Sequence, residues 1–195
     1  MPYPIISPPF TLKFREMPPH QLSEYREWFL NSISLRIATL HDAVKESGDL
    51  IWQPDFTRNS VELLGLWLAP RIEVRQRTDD EVHIIKSKVP FDFGISDREL
   101  SDNTFSLAID SGMYLAATLL TNFPNLKWNQ PIFDNIFIDF GQVVLFGFGE
   151  APLNPVRITI TFCYGIAGGQ QAGSRLGEIY EYWARLASVP ATARP

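Results

Sequence analysis

Asn103-Thr-Phe-Ser-Leu-Ala-Ile-Asp-Ser-Gly-Met-Tyr-Leu-Ala-Ala-Thr-Leu-Leu-Thr-Asn-Phe-Pro124 is the stretch on which the fold turns. Asp110 is its one formal charge, and Phe105, Ala108, Ile109, Gly112, Ala116, Leu119 and Phe123 recur mostly at three-and-four spacing. A surface helix keeps a polar face, so a helix with charge at a single position has to be buried on most of its faces. Its length approaches the roughly 20 residues of a membrane span. Asp110 near the middle, with Ser106, Ser111, Thr118 and Thr121 around it, reads instead as a buried core helix. A carboxylate in that position must find a partner, take a proton or face a wet cavity. An arginine such as Arg36 would serve as the partner, and a narrow exposed edge of the helix is the other plain reading. Tyr114 lies one turn further along the same face.

Upstream, the apolar positions Leu22, Tyr25, Phe29, Ile33, Ile37, Leu40 and Val44 predict a long amphipathic helix from His20 to Glu46, stopped by Ser47-Gly48. Pro4, Pro8, Pro9, Pro18 and Pro19 punctuate the first twenty residues, and Phe10-Thr-Leu-Lys-Phe14 alternates as a short strand or an extended arm would. Asp55-Phe-Thr-Arg-Asn-Ser60 opens a short helix through Val61, Leu64 and Leu68, with Thr57 or Asn59 as cap and Pro70 as its end. Thr78-Asp-Asp-Glu81 has the spacing of a reciprocal cap and predicts a helix over about Asp79 to Ser87, followed by a loop through Pro90, Phe91, Phe93 and Gly94.

Beyond Pro124 the pattern changes period. Leu126 to Trp128, Ile136 to Phe140, Val143 to Phe148 and Val156 to Tyr164 are rich in β-branched and aromatic residues, which predicts strands in an antiparallel sheet. The Gly-rich loop from Gly165 to Gly173 leads to a last helix, capped by Ser174, with Leu176, Ile179, Tyr180, Trp183 and Leu186 on its apolar stripe. The expected fold is therefore α+β: N-terminal helices, a central buried helix, a C-terminal antiparallel sheet and one closing C-terminal helix. A single domain over 1–195 is expected, with 1–19 an extended arm and 189–195 a frayed tail.

The chain has 195 residues, 45% apolar content and a formal charge of -5. That charge disfavours nucleic-acid binding, which needs Lys and Arg clustered on one face. Arg71, Arg75, Arg77, Lys86 and Lys88 are interleaved with Glu73, Asp79, Asp80 and Glu81, and read as a mixed-charge surface. The one cysteine, Cys163, rules out an internal disulfide and any cysteine-rich zinc site. A soluble cytoplasmic protein without membrane attachment is the reading, since the N-terminus has no basic start followed by a long apolar run.

Motifs of chemistry fall short on inspection. Gly168-Gly-Gln-Gln-Ala-Gly173-Ser174-Arg175 has the glycine spacing of a phosphate-binding loop, but Ser174 stands where the lysine belongs and Arg175 where the hydroxyl belongs. His20, His41 and His83 are scattered, with no ligand spacing around them, so no metal or other cofactor is expected. Cys163 sits inside an apolar run and reads as a small buried side chain. The aromatics, Trp28, Trp52, Trp67, Trp128 and Trp183 among them, read mostly as core.

Several landmarks in order resemble one family of uncharacterised bacterial proteins: Tyr25-Arg-Glu-Trp28-Phe29 with Arg36 and Leu40, Asp55 to Ser60 opening into Leu64 and Trp67, Leu107-Ala-Ile-Asp110-Ser-Gly-Met-Tyr114-Leu leading to Lys127-Trp128, Gly141 to Phe148, and Tyr180-Glu-Tyr-Trp183. The resemblance runs from about Phe10 to Trp183. Arg58 and Val143 stand where that pattern has prolines. It attaches no activity and carries over no active-site residue. The functional reading is a non-enzymatic protein that binds another protein, a toxin-neutralising immunity protein being one form of it. The alternative is a small-molecule-binding or catalytic domain with a pocket near Asp110, Tyr114 and Trp128.

Overall fold

The computed structural model describes residues 3–49, 51–88, 96–149 and 151–189. Its centre is α4, Asp102–Asn122, where Ser101 accepts a hydrogen bond from the Thr104 amide and Asp102 sits at the positive end of the helix dipole. Ala108, Met113, Leu115, Ala116 and Leu119 have no exposed surface. Full burial of each of the larger ones stabilises the fold by about 2 kcal/mol.

Around α4 lie α1, Pro19–Ser47, and α2, Arg58–Leu68. Helix α1 begins on Pro19, where the missing amide costs nothing, and stops at Gly48, whose φ of 68° only glycine adopts readily. Its core face is Leu22, Tyr25, Phe29, Arg36, Ile37, Leu40 and Val44. Of the two caps expected for α2, Thr57 is used: its hydroxyl accepts from the Ser60 amide while Ser60 Oγ accepts from the Thr57 amide. Helix α3, Asp79–Lys88, starts on the expected Thr78 and Glu81 exchange. A bidentate bond from Arg75, joined by the Thr78 amide, holds the Glu81 carboxyl down at about 2.

Two small antiparallel pairs complete the α+β fold. Strand β1, Val74–Gln76, pairs with β2, Arg98–Leu100, an element without a sequence signal. Strand β3, Lys127–Asn129, pairs with β4, Val144–Phe146, through Trp128 opposite Leu145. Helix α6, Arg175–Ser188, closes the described chain.

Two of the expected strands are corrected. Val156 to Tyr164 lies in helix α5, Pro155–Ala167. Asn154 accepts from the Arg157 amide and Pro155 opens the first turn, a helix start that outweighs the β-branched composition. The buried positions Pro155, Thr159, Phe162 and Cys163 follow helical spacing. Ile136 to Phe140 forms consecutive turns. Phe10 to Phe14 is arm, not strand, and its rings pack on Tyr25 and Trp28. Ser174 does precede α6, but its side chain makes no capping bond. The loop expected through Pro90 to Gly94, and the tail beyond Val189, lie outside the described residues.

Small residues set the helix crossings. A Cβ on Gly112 would sit 2.8 Å from the Pro155 carbonyl oxygen and from Thr159 Oγ1, so α4 and α5 meet almost backbone to backbone. Thr159 seals the contact by donating to the Ala108 carbonyl at 2.7 Å. Gly65 on α2 plays the same part against Gly173, which explains one glycine of the would-be phosphate loop as a packing residue. Among the described residues no helix is long and apolar enough to cross a membrane.

Candidate functional site

Asp110 is fully buried and paired with Arg36, one of the two plain readings of the sequence. Arg36 Nε donates to Oδ1 at 2.8 Å and Nη2 to Oδ2 at 2.6 Å, the two-pronged geometry of a strong guanidinium–carboxylate pair. The phenol of Tyr3 donates to the same Oδ2, and Arg36 Nη2 also donates to the Pro4 carbonyl. The N-terminal arm thus ends its run by plugging an ion pair between α1 and α4, a contact no sequence spacing announces. Burial raises the Asp110 carboxyl above its usual range, and the bonds from Arg36 and Tyr3 pull it back only in part. Burial acts to lower Arg36, but the bonds and charge of Asp110 outweigh it and raise it overall. Burial, reinforced by the Asp110 charge, lifts the Tyr3 phenol far above its normal value.

Tyr114 is also fully buried, yet it faces other partners. Its hydroxyl lies 2.6 Å from Ser60 Oγ and accepts from the Phe56 amide at 3.1 Å. Phe56 has a φ of 57°, so this bond holds a strained residue at the entrance to α2. Burial raises the Tyr114 phenol. Trp128 is half-buried and packs edge-on to Phe29 at 5.9 Å between centroids. The three residues singled out from the sequence therefore stand in distinct settings: Asp110 in an ion pair, Tyr114 in a cap, Trp128 in aromatic packing.

A cavity of about 650 Å³ opens beside the arm, with Tyr3, Pro4, Ala43, Trp67 and Leu107 as its apolar wall and Asp42, Glu46, Glu73 and Arg71 among its charges. Arg71 stacks over the Trp67 ring at 4.4 Å, donates to the Trp67 carbonyl and pairs with Asp49. Asp110 reaches this space only through Tyr3. Among the described residues no group of three or more His, Cys, Asp or Glu side chains is placed to hold a metal ion. Cys163 is buried, and burial pushes its thiol up to about 12.

The most exposed apolar side chains near one another in sequence are on the loop from Pro131 to Gly141, where Ile132, Phe133, Ile136 and Ile138 are 55%, 76%, 81% and 62% exposed. The Gly141 amide donates to the Pro131 carbonyl at 2.7 Å, closing the loop into a compact Ω shape. Its interior is tied down as well. Arg15 Nε donates to the Asn135 carbonyl at 2.7 Å, Arg15 Nη2 to the Phe137 carbonyl at 3.3 Å, and Asp134 Oδ1 accepts from the Ile136 amide at 3.0 Å. Below the tip, Phe140 joins the core, and Asp139 is buried against Asn154 and Arg157. The strand expected over Ile136 to Phe140 falls in this loop, and its composition by itself carries no signal against a strand.

Comparisons with protein-family models, with curated proteins and with solved structures find no match to this chain.

Proposed function

We propose that this protein acts by binding another protein, in stoichiometric fashion and without turnover. The observation that carries this reading is the Pro131–Gly141 loop, which holds four large apolar side chains in water on a hydrogen-bonded frame. Apolar side chains gathered on one exposed loop make a surface of the kind that is often functional. The buried charges support the same view, since Asp110 and Arg36 are spent on pinning the arm and Asp139 on pairing with Arg157. An immunity protein that neutralises a toxin is the specific form we favour, because a net charge of -5 on a chain of this size suits capture of a basic partner. The test is isolation of the native complex by size-exclusion chromatography and measurement of its composition. A one-to-one complex with a second protein supports the reading, and a monomer that turns over a metabolite in its place overturns it.

A second reading draws on the cavity beside Tyr3: a small molecule held between the apolar wall and the carboxylates of Asp42, Glu46 and Glu73. A thermal-shift screen with a metabolite library tests it. A ligand whose shift disappears in Glu46→Gln would favour this reading over the first.

A further inference from the structure

We infer that the cavity beside the N-terminal arm is a site for a linear polyamine, an aliphatic chain carrying two or more ammonium groups. This rests on the small-molecule reading of that cavity and adds the chemical class of its occupant. Its volume of about 650 Å³ falls within the range of small-molecule sites, roughly 300–1,000 Å³.

Charge selects the sign of the occupant. Asp42, Glu46 and Glu73 line the cavity against one cation, Arg71, so an excess of two negative charges remains after Arg71 is counted in full. Arg71 is itself turned onto the Trp67 ring and paired with Asp49, a further carboxylate outside the lining. Among the described residues none of the three lining carboxylates is in an ion pair. Two of them are also placed against local electrostatics. Asp42 and Glu46 stand four apart on α1, where like charges repel, and Glu46 lies in the last turn, at the negative end of the helix dipole. Lys45, the basic residue of that turn, does not line the cavity. A bound cation relieves both conflicts.

Spacing and surface decide the kind of cation. Among the described residues no three His, Cys, Asp or Glu side chains are placed to hold one metal ion, so the three carboxylates do not converge on a point. A single ion would meet two of them at most, whereas ammonium groups spaced along a chain can meet all three. The wall includes Pro4, Ala43, Trp67 and Leu107, an apolar surface that favours methylene groups over a hydrated ion. The lining hydroxyls are already spent. Thr39 donates to the Leu35 carbonyl, and Ser47 donates to the Val44 carbonyl while accepting from the Trp67 indole. The frame is also set in advance, since Thr104 Oγ1 accepts from the Glu73 amide at 2.9 Å and donates to the Glu73 carbonyl at 3.1 Å.

The test is isothermal titration of spermidine into the full chain at low salt. One spermidine per chain should bind, more weakly as salt rises, and about a tenfold excess of magnesium should not displace it. n-Butylamine, with one ammonium on a similar methylene chain, should bind about tenfold more weakly. Glu46→Gln and Glu73→Gln should each weaken spermidine about fivefold. Glu27→Gln, at an exposed position of α1 outside the cavity, should leave it unchanged, and Thr39→Trp, which fills the cavity from α1, should abolish it. Without spermidine the thermal midpoint of Glu46→Gln should be no lower than the parent's, because the change removes a like-charge contact. No saturable binding at about 1 mM spermidine would overturn the proposal. So would equal affinity for n-butylamine, displacement by magnesium, or an equal loss in Glu27→Gln. An uncharged or anionic metabolite whose thermal shift Thr39→Trp abolishes and Glu46→Gln leaves intact would overturn the polyamine and keep the small-molecule reading, whereas no shift from spermidine or from any metabolite would sink the two together.

Discussion

Replacing Arg36 by methionine keeps an aliphatic stem of similar length in the core and removes the guanidinium from a carboxylate with no exposed surface. Asp110 then loses bonds of 2.8 and 2.6 Å and keeps only the phenol of Tyr3, while the Pro4 carbonyl loses its donor as well. Breaking one side of a buried pair costs about 3–5 kcal/mol, most of it the penalty for the charge left behind. In a chain of this length that corresponds to a fall in thermal midpoint of about 12 °C. The pH dependence gives the sharper test. The folded-state pKa of Asp110 is already raised by burial, and losing Arg36 raises it further. A group raised in the folded state contributes stability that is fully present below its unfolded pKa and is lost as pH rises through the folded value. The deficit of Arg36→Met relative to the parent should therefore be largest near neutral pH and shrink on acidification, because Asp110 takes up a proton in the variant first. Chemical denaturation of both proteins across that range measures it. Arg36→Met combined with Asp110→Leu should recover much of the loss, because an apolar pair of similar volume is often as stable as the ion pair it replaces. A deficit below about 1 kcal/mol, or one that widens on acidification, would refute the account of this cluster.

Gly112→Val should destabilise the fold by about 3 kcal/mol in urea denaturation, since its side chain would collide with the Pro155 carbonyl and Thr159 where α4 and α5 touch. Tyr114→Phe leaves the Phe56 amide without its acceptor and should cost about 2 kcal/mol, with faster amide exchange at the start of α2 as its local signature. Cys163 should resist iodoacetamide at mildly alkaline pH in the folded protein and react fully in guanidinium, as its thiol is buried and pushed up to about 12.

Part of the candidate site was legible in the residues. That Asp110 must be answered by a partner followed from its place in an apolar helix, and Arg36 was nameable because it falls on the inward face of α1 with Ile37 and Leu40. Tyr3 was not, because an arm without periodicity gives no register, and its contact spans 107 positions. The exposed loop was hidden for a different reason: Ile136, Phe137 and Ile138 have the composition of a strand, and the clamp by Arg15 that holds them in turns comes from 120 positions away.

Local chemistry fixed the buried central helix, the stops at Gly48 and Pro70 and the cap at Thr78, and narrowed the α2 cap to Thr57 or Asn59, because each depends on residues within a turn or two of one another. For Val156 to Tyr164 the β-branched composition carried only a weak preference, the Asn154-Pro155 start was a local helix signal, and what only the tertiary structure supplied was the notch at Gly112 against which this helix packs. Tertiary structure also decided the Pro131–Gly141 loop and the plugged ion pair. Each is made by groups far apart in the chain, whose meeting depends on how the whole core packs.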